Sequence, residues 1–467
     1  MRTTTRLWAA LLGAAAFMAT FVLPPPGTLS VPAWQTAGLA AVMAIFWIAQ
    51  VLPFAVTALL PLLAAPLLGL ADLKTLGASY GHPLVFLFLG GFVLGLAMER
   101  WQLHRRIALM LLVYFGGSPR RQLGAFMLAT ALLSMWVSNT ATAIMMLPIA
   151  LSVIVQTPSD ESPIAARRLL LGVAYAASIG GVATLIGTPP NALMAAYLEQ
   201  EHNINLTFIG WMAMGLPLSA TLLLLCWWWL GRDLNTQTKA NTTASSAVLR
   251  TQLTELGAMS TMEKRVALVF VITALCWVLR PLLATWVPGL TDTSIALGAA
   301  IALHALPAGD GKGSALMDWE HSKTLPWGVL LLFGGGLALA QLMSSSGLAQ
   351  ALADMLQGAA GWPPLVLVLV VAGLIIFLTE ITSNTATAAA FLPLLGALAV
   401  AVGLAPQTLV IPAAVAASCA FMMPVATPPN AIVFAAERLS VADMARAGLM
   451  INLLAWGCIG ALGLWLL

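Results

Sequence analysis

The chain has 467 residues, of which 60% are hydrophobic and 8% charged, against roughly 25% charged in a soluble domain. This excludes an ordinary soluble fold and identifies a polytopic membrane protein. The formal net charge of +3 resides in loops, and no basic surface of the kind that binds nucleic acid is present in the sequence.

In chain order, the first apolar stretch is "LWAALLGAAAFMATFVL". Arg2 and Arg6 precede it, and "PPPG" follows it with no small-residue cleavage site, so it reads as a first membrane helix rather than a signal peptide. Counting this one (7–23), runs long enough to span fall near 34–52, 54–70, 83–98, 168–198, 206–230, 265–283, 293–306, 327–342, 407–435 and 443–466, about eleven in all. Two further apolar blocks, 122–157 and 364–401, are long but broken. Each contains the pentapeptide SNTAT and a later proline, Pro148 or Pro393. The polar stretch 231–264 divides the chain nearly in half and reads as a linker. Cys226, Cys276, Cys419 and Cys458 are scattered through apolar segments without metal-ligand spacing and read as packing residues. His82, His104, His202, His304 and His321 fall at segment ends and read as interfacial. The glycine clusters at 90–95 and 334–336 are expected to be close-packing surfaces, because no Walker lysine follows them.

The two halves repeat. Ser138 and Ser383 of the SNTAT elements are 245 positions apart, Gly90 and Gly334 are 244 apart, and Asn191 and Asn430 of two TPPN segments are 239 apart. Internal repeats in secondary transporters place the binding site at the repeat interface. Arg100, Arg105, Arg106, Arg120 and Arg121 precede the first SNTAT, whereas the stretch before the second has no Lys or Arg. The positive-inside rule then puts the first broken block on the cytoplasmic side and the second outside, as inverted re-entrant hairpins. The N-terminus and the 231–264 linker are expected inside and the C-terminus outside.

Non-helical backbone at membrane depth is tolerated where protein buries it or it lines a cavity. Ser, Asn and Thr favour turns and helix N-caps, and small Ala residues let backbones approach closely. A helix restarting after the SNTAT tip would point free N–H groups and a positive dipole end into the cavity. In the TPPN segments, Pro189–Pro190 and Pro428–Pro429 lack N–H donors and are expected to break their spans, freeing the carbonyls of Leu185, Ile186, Pro424 and Val425. Thr188 and Thr427, before proline, are expected to be extended. Loose carbonyls, hydroxyls and an Asn amide suit a hard monovalent cation, with dipole ends left for an anion. No Asp, Glu, Lys or Arg occurs in 122–157, 169–198 or 381–436. An anion there would need its charge neutralised by co-bound cations. Glu380, three residues before Ser383, is the one titratable group for proton coupling. Its other reading is a structural residue at the hairpin's edge.

The paired SNT motifs, each followed by TPPN, resemble the divalent-anion/sodium symporter family, which includes sodium-coupled dicarboxylate, citrate and sulfate carriers. "LLSMWVSNTATAIMMLP" and "SCAFMMPVATPPNAIVF" are similar to its bacterial dicarboxylate branch, and the resemblance runs over essentially the whole chain. It implies an all-α inner-membrane homodimer of eleven-span protomers with two re-entrant hairpins, moving as an elevator. The scaffold would be 1–121 and 265–363, and the transport domain 122–230 and 364–467, joined by the cytoplasmic linker 231–264. One sodium would be held by Ser134, Ser138, Asn139 and the Gly187 carbonyl, and a second by Thr379, Thr382, Ser383, Asn384 and the Ala426 carbonyl. The hydroxyls of Ser134 and Thr379 are again 245 apart. Substrate would meet Asn139, Thr140, Thr188, Ser383, Asn384, Thr385 and Thr427. The function implied is sodium-coupled symport of C4-dicarboxylates, not an enzyme activity. The alternatives are a dicarboxylate exchanger of the same fold, or a sodium-coupled carrier of citrate or sulfate. A serine hydrolase would need a His or Lys within the motif windows, which contain neither. A channel would need a charged ring or a carbonyl filter.

Overall fold

In a bilayer every backbone N–H and C=O must find a partner within the protein, which leaves helices as the natural spanning element. The computed structural model describes residues 3–27, 29–115, 117–155, 162–232, 234, 239–311, 313–355 and 361–467. Among these residues the fold is helical throughout, with no strand beyond an isolated bridge between Pro307 and Ala315. Among the described residues seven helices are long and apolar enough to cross a membrane, and six more apolar helices are shorter.

Both broken blocks are helix–turn–helix hairpins. Pro119–Ser134 and Asn139–Ile154 form the first, Pro364–Thr379 and Asn384–Ala401 the second. Prolines at the first helical position of the entering arms start these helices without sacrificing a hydrogen bond. Ser138 and Ser383 are the N-caps of the leaving arms, so each SNTAT sits at a hairpin tip. The first tip is seated by Trp136, whose ring lies 5.1 Å from Phe270 and 6.2 Å from Trp277, both on Thr261–Leu283.

The two TPPN spans break into half-helices as expected, though over longer stretches, and the linker carries a helix. The stretch 168–198 is two helices, Ser162–Val182 and Pro189–His202, and 407–435 is likewise Gln407–Ala417 and Pro428–Phe434. The prolines occupy the first turn of each second half-helix, where their missing N–H is harmless. The preceding half-helices end well before them, so the breaks are longer than an i−4 carbonyl clash alone would make. The linker is not structureless, since Lys239–Glu255 is a helix. Its end is clamped by Arg106, which donates to the Gly257 and Leu256 carbonyls at 2.9 and 3.2 Å and pairs with Glu263 at 2.6 Å. Gln252 of the same helix donates to Ser152 of the first hairpin at 2.8 Å.

The broken spans interlock with the hairpins across the two halves. Ser162–Val182 packs on Pro119–Ser134, and Gln407–Ala417 on Pro364–Thr379. The second half-helices cross over: Pro428–Phe434 packs on Asn139–Ile154, and Pro189–His202 on Asn384–Ala401. A helix pair outside this unit, Pro83–Arg100 on Asp292–Ala305, relies on the expected glycine contact. A Cβ at Gly90 would lie 2.6 Å from the Ala296 backbone.

Arg106→Met should lower unfolding stability by about 3 kcal/mol, because it strands the buried Glu263 and two helix-end carbonyls. Chemical denaturation of the purified protein measures this. Unchanged stability would show that the linker helix is anchored elsewhere.

Candidate functional site

Each hairpin tip places a hydroxyl and an amide against the end of a broken span. In the first half, Ser134 Oγ lies 2.5 Å from Asn139 Oδ1 and 2.6 Å from the Ala177 carbonyl oxygen. In the second, Thr379 Oγ1 lies 2.8 Å from Asn384 Oδ1 and 3.1 Å from the Ala417 carbonyl oxygen. The two constellations correspond atom for atom. The Thr379 hydroxyl has one proton and faces two acceptors, and the Ser134 hydroxyl does so only when Asn139 turns its Oδ1 towards it.

The Asn139 amide sharpens the point. The end that faces Ser134 is also 3.1 Å from the Ala177 oxygen and 3.2 Å from the Gly187 oxygen. With Nδ2 turned inward it donates to all three. With Oδ1 inward, four oxygens converge, which is favourable around a hard cation. Space for the amide depends on glycine, since a Cβ at Gly181 would lie 2.7 Å from Asn139 Oδ1 and 2.9 Å from the Gly187 oxygen. Ala420 and Ala426 stand at the corresponding positions of the second half.

The asparagines of the TPPN segments hold the breaks in shape. Asn191 Nδ2 donates to Gly181, Val182 and Thr184 carbonyls at 3.4, 3.2 and 2.9 Å. Asn430 Nδ2 donates to Ala420 and Met423 at 3.2 and 3.0 Å. Gly181 and Ala420, like Thr184 and Met423, are 239 apart, the spacing of the asparagines themselves. Thr188 and Thr427 are buried and extended (φ −144° and −138°), as expected before proline. Thr188 Oγ1 lies 3.5 Å from Ser418 Oγ, which brings the two breaks together.

Glu380 takes the structural role. The residue is 4% exposed, and its carboxyl group accepts from the backbone N–H groups of Phe421, Met422 and Met423 at 2.7 to 3.1 Å. Asn452 Nδ2 donates to it at 2.7 Å. It therefore pins the longer break, 418–427, to the second hairpin. Met135 stands at the matching place in the first half, where the break spans only 183–188 and Thr184 Oγ1 bonds the Met135 carbonyl at 2.6 Å.

Ser134, Asn139 and Gly187 thus meet as expected, as do Thr379 and Asn384. Other expected groups point differently. Ser138 Oγ is exposed at the tip and accepts from Ala141 N at 3.2 Å. The Thr382 hydroxyl is turned into the hairpin, bonded to the Leu378 carbonyl at 2.9 Å and Thr387 Oγ1 at 2.6 Å. Thr140, Ser383 and Thr385 are half-buried at the tips, and Thr427 Oγ1 accepts from Asn430 N at 3.3 Å. Ala426 is buried next to Thr427. The Ala177 and Ala417 carbonyls, Gly181, Ser418 and Asn452 belong to the arrangement although no motif announced them.

The whole chain is similar to known proteins. Residues 4–466 match the family model described as "Sodium:sulfate symporter transmembrane region". A protein of Staphylococcus saprophyticus named sodium-dependent dicarboxylate transporter SdcS is 41% identical over 456 residues, covering 95% of this chain and 88% of the relative. Its namesake from Staphylococcus aureus (strain USA300) is 39% identical with the same coverage. Among solved structures, the Alcanivorax borkumensis YdaH transporter aligns with a TM-score of 0.61 at 18% identity, covering 84% of this chain and 87% of that one. Neisseria gonorrhoeae MtrF aligns at 0.59 and 13%, covering 98% and 94%. These two likenesses concern the fold alone.

Removing the Glu380 carboxyl group leaves three backbone N–H groups and an amide without an acceptor, at about 1–3 kcal/mol each. Glu380→Ala should lower unfolding stability by about 4 kcal/mol, and Glu380→Gln by less, because it retains one acceptor oxygen. Equal stability of the three proteins in a denaturant titration would show that the break is held without Glu380.

Proposed function

The chain belongs to the sodium:sulfate symporter family, and from that premise we propose that it is a sodium-coupled symporter of C4-dicarboxylates such as succinate, malate and fumarate. As a family member it is a multi-pass membrane transporter rather than an enzyme. Relatives at 39–41% identity named as sodium-dependent dicarboxylate transporters support dicarboxylate over sulfate. The observation that carries the reading is the duplicated cluster of a hydroxyl, an asparagine amide and a main-chain carbonyl, Ser134–Asn139–Ala177 and Thr379–Asn384–Ala417, in which an amide oxygen turned inward would complete a cation's ligand set.

In this reading one sodium ion lies among Ser134, Asn139 and the Gly187 carbonyl, and a second among Thr379, Asn384 and the Ala426 carbonyl. Ser138, Thr382 and Ser383 complete the two tips, with the Thr382 side chain serving the hairpin's own structure. The substrate carboxylates meet Asn139 and Thr140 at one tip and Ser383, Asn384 and Thr385 at the other, with Thr188 and Thr427 behind them. Burying a dianion costs several kcal/mol per charge unless it is paired, and each helix N-terminus offers only about half a charge. Two sodium ions supply the remainder from sites that also order the tips. The interlocked hairpins and broken spans move as one body against the remaining helices, in a homodimer in the inner membrane. The N-terminus and linker are cytoplasmic, the C-terminus is outside, and the two halves are inverted.

Purified protein in liposomes should accumulate succinate down an inward sodium gradient and not when choline replaces sodium. Asn139→Ala and Asn384→Ala should each cut that uptake by about 100-fold with folding intact, as judged by gel-filtration profile and thermal stability. Wild-type uptake by either variant would overturn the site. Uptake only into succinate-loaded liposomes, indifferent to sodium, would identify an exchanger instead.

A further inference from the structure

Two cavities flank the hairpins at matching positions of the two halves. The larger, about 650 Å³, runs along the leaving arm of the first hairpin from Ala141, two residues beyond Asn139, to Pro148 and Ile149. It is also lined by Glu99, Arg100, Gln102, His104 and Arg105, and by Met317, His321 and Thr324 of the segment around the short helix Trp319–Ser322. The smaller, about 140 Å³, lies beside Pro393, Ala397 and Val400 of the second hairpin. Pro148 and Pro393 are 245 apart, as are Arg105 and Gln350, which line the larger and smaller cavity respectively. The cavities are therefore counterparts of unequal volume.

Their charges are not counterparts. In the larger cavity Arg100 is committed to Asp318 at 2.8 Å, and His321 Nδ1 lies 2.8 Å from the same carboxylate. Asp318 is held down at about 2, chiefly by the His321 backbone N–H and side chain, so it neutralises Arg100 throughout the physiological range. His104 is buried against the Met98 carbonyl at 3.0 Å. Among the described residues the Arg105 guanidinium makes no hydrogen bond or ion pair, and Glu99, the carboxyl of the lining, does not pair with it. Facing it is the apolar arm with Ile144, Met145 and Pro148. In the smaller cavity the equivalent Gln350 donates to Asp354 at 3.0 Å, and Glu201 lines the wall. No Lys or Arg is present there among the described residues.

Resting on the dicarboxylate reading above, we infer that Arg105 is a one-sided capture residue, which draws substrate carboxylates into the first hairpin's vestibule and has no equivalent at the second. A cationic cleft with a low-dielectric wall concentrates anions and speeds their entry. A charge at the rim acts on the association rate and its salt dependence rather than on the bound complex.

The test uses full-length protein in liposomes, with its orientation set by sided blocking of a single engineered cysteine. Succinate KM and kcat are measured from each side at saturating sodium, at low and high choline chloride. Arg105→Gln should raise KM from the first hairpin's side by about 3–10-fold, with kcat and the opposite-side KM unchanged. It should also abolish the salt sensitivity of that KM, and Arg105→Lys should restore most of both. An unchanged KM on both sides would refute capture by Arg105. An equal rise on both sides would refute it too, assigning Arg105 to the fold or the central site. Absence of sodium-dependent uptake by the wild type would instead refute the transport reading on which the inference rests.

Discussion

Helix ends buried at membrane depth must find partners, and the rest of this structure follows from how that requirement is met. Two hairpins and two broken spans leave carbonyls, N–H groups and small polar side chains far from water. Unpartnered, each would cost several kcal/mol. The TPPN asparagines tie up the ends of the first half-helices, and Glu380 takes the loose N–H groups of the longer break. What remains is a hydroxyl, an amide and a main-chain carbonyl converging at Ser134–Asn139 and again at Thr379–Asn384. With the amide oxygens turned inward such a cluster has a surplus of acceptors, a liability for a purely structural core and an asset for a cation site.

Duplication gives the same solution twice, and the departures from it are informative. The first cluster is tight enough to require Gly181, while the second has alanine at the matching place. The first break is short and held by Asn191 through three carbonyls. The second is longer, and its asparagine reaches two, with Glu380 and Asn452 making up the difference. The two cavities beside the hairpins differ in volume and charge, with Arg105 lining one and Gln350 the other.

Much of this was legible in the sequence because the chemistry is carried by side chains with strong local preferences. SNTAT placed the hairpin tips, proline after threonine placed the extended residue before each second half-helix, and constant spacing paired Ser134 with Thr379. The parts that were not legible depend on backbone or on distant contacts. Ala177 and Ala417 contribute carbonyls, which leave no mark in a sequence of alanines. The half-helices stop short of the prolines because Asn191 and Asn430 bond carbonyls seven and ten residues back, a tertiary condition that no local propensity encodes. The helix of the polar linker is fixed in place by Arg106, well over a hundred residues earlier, which bonds the two carbonyls just beyond its end. Glu380 stood out as a lone carboxyl group, but its role became plain only when its partners proved to be main-chain N–H groups.

Neutralisation of a dianion by co-bound cations, rather than by a fixed arginine or lysine, is the central claim. Calorimetric titration of purified protein with succinate in sodium and in choline tests it directly. Coupling through the two oxygen clusters predicts succinate binding at least about 10-fold tighter in sodium, and sodium binding tightened by the same factor in saturating succinate, as linkage requires. Equal succinate affinity in the two media would contradict it and place the neutralising charge on the protein itself.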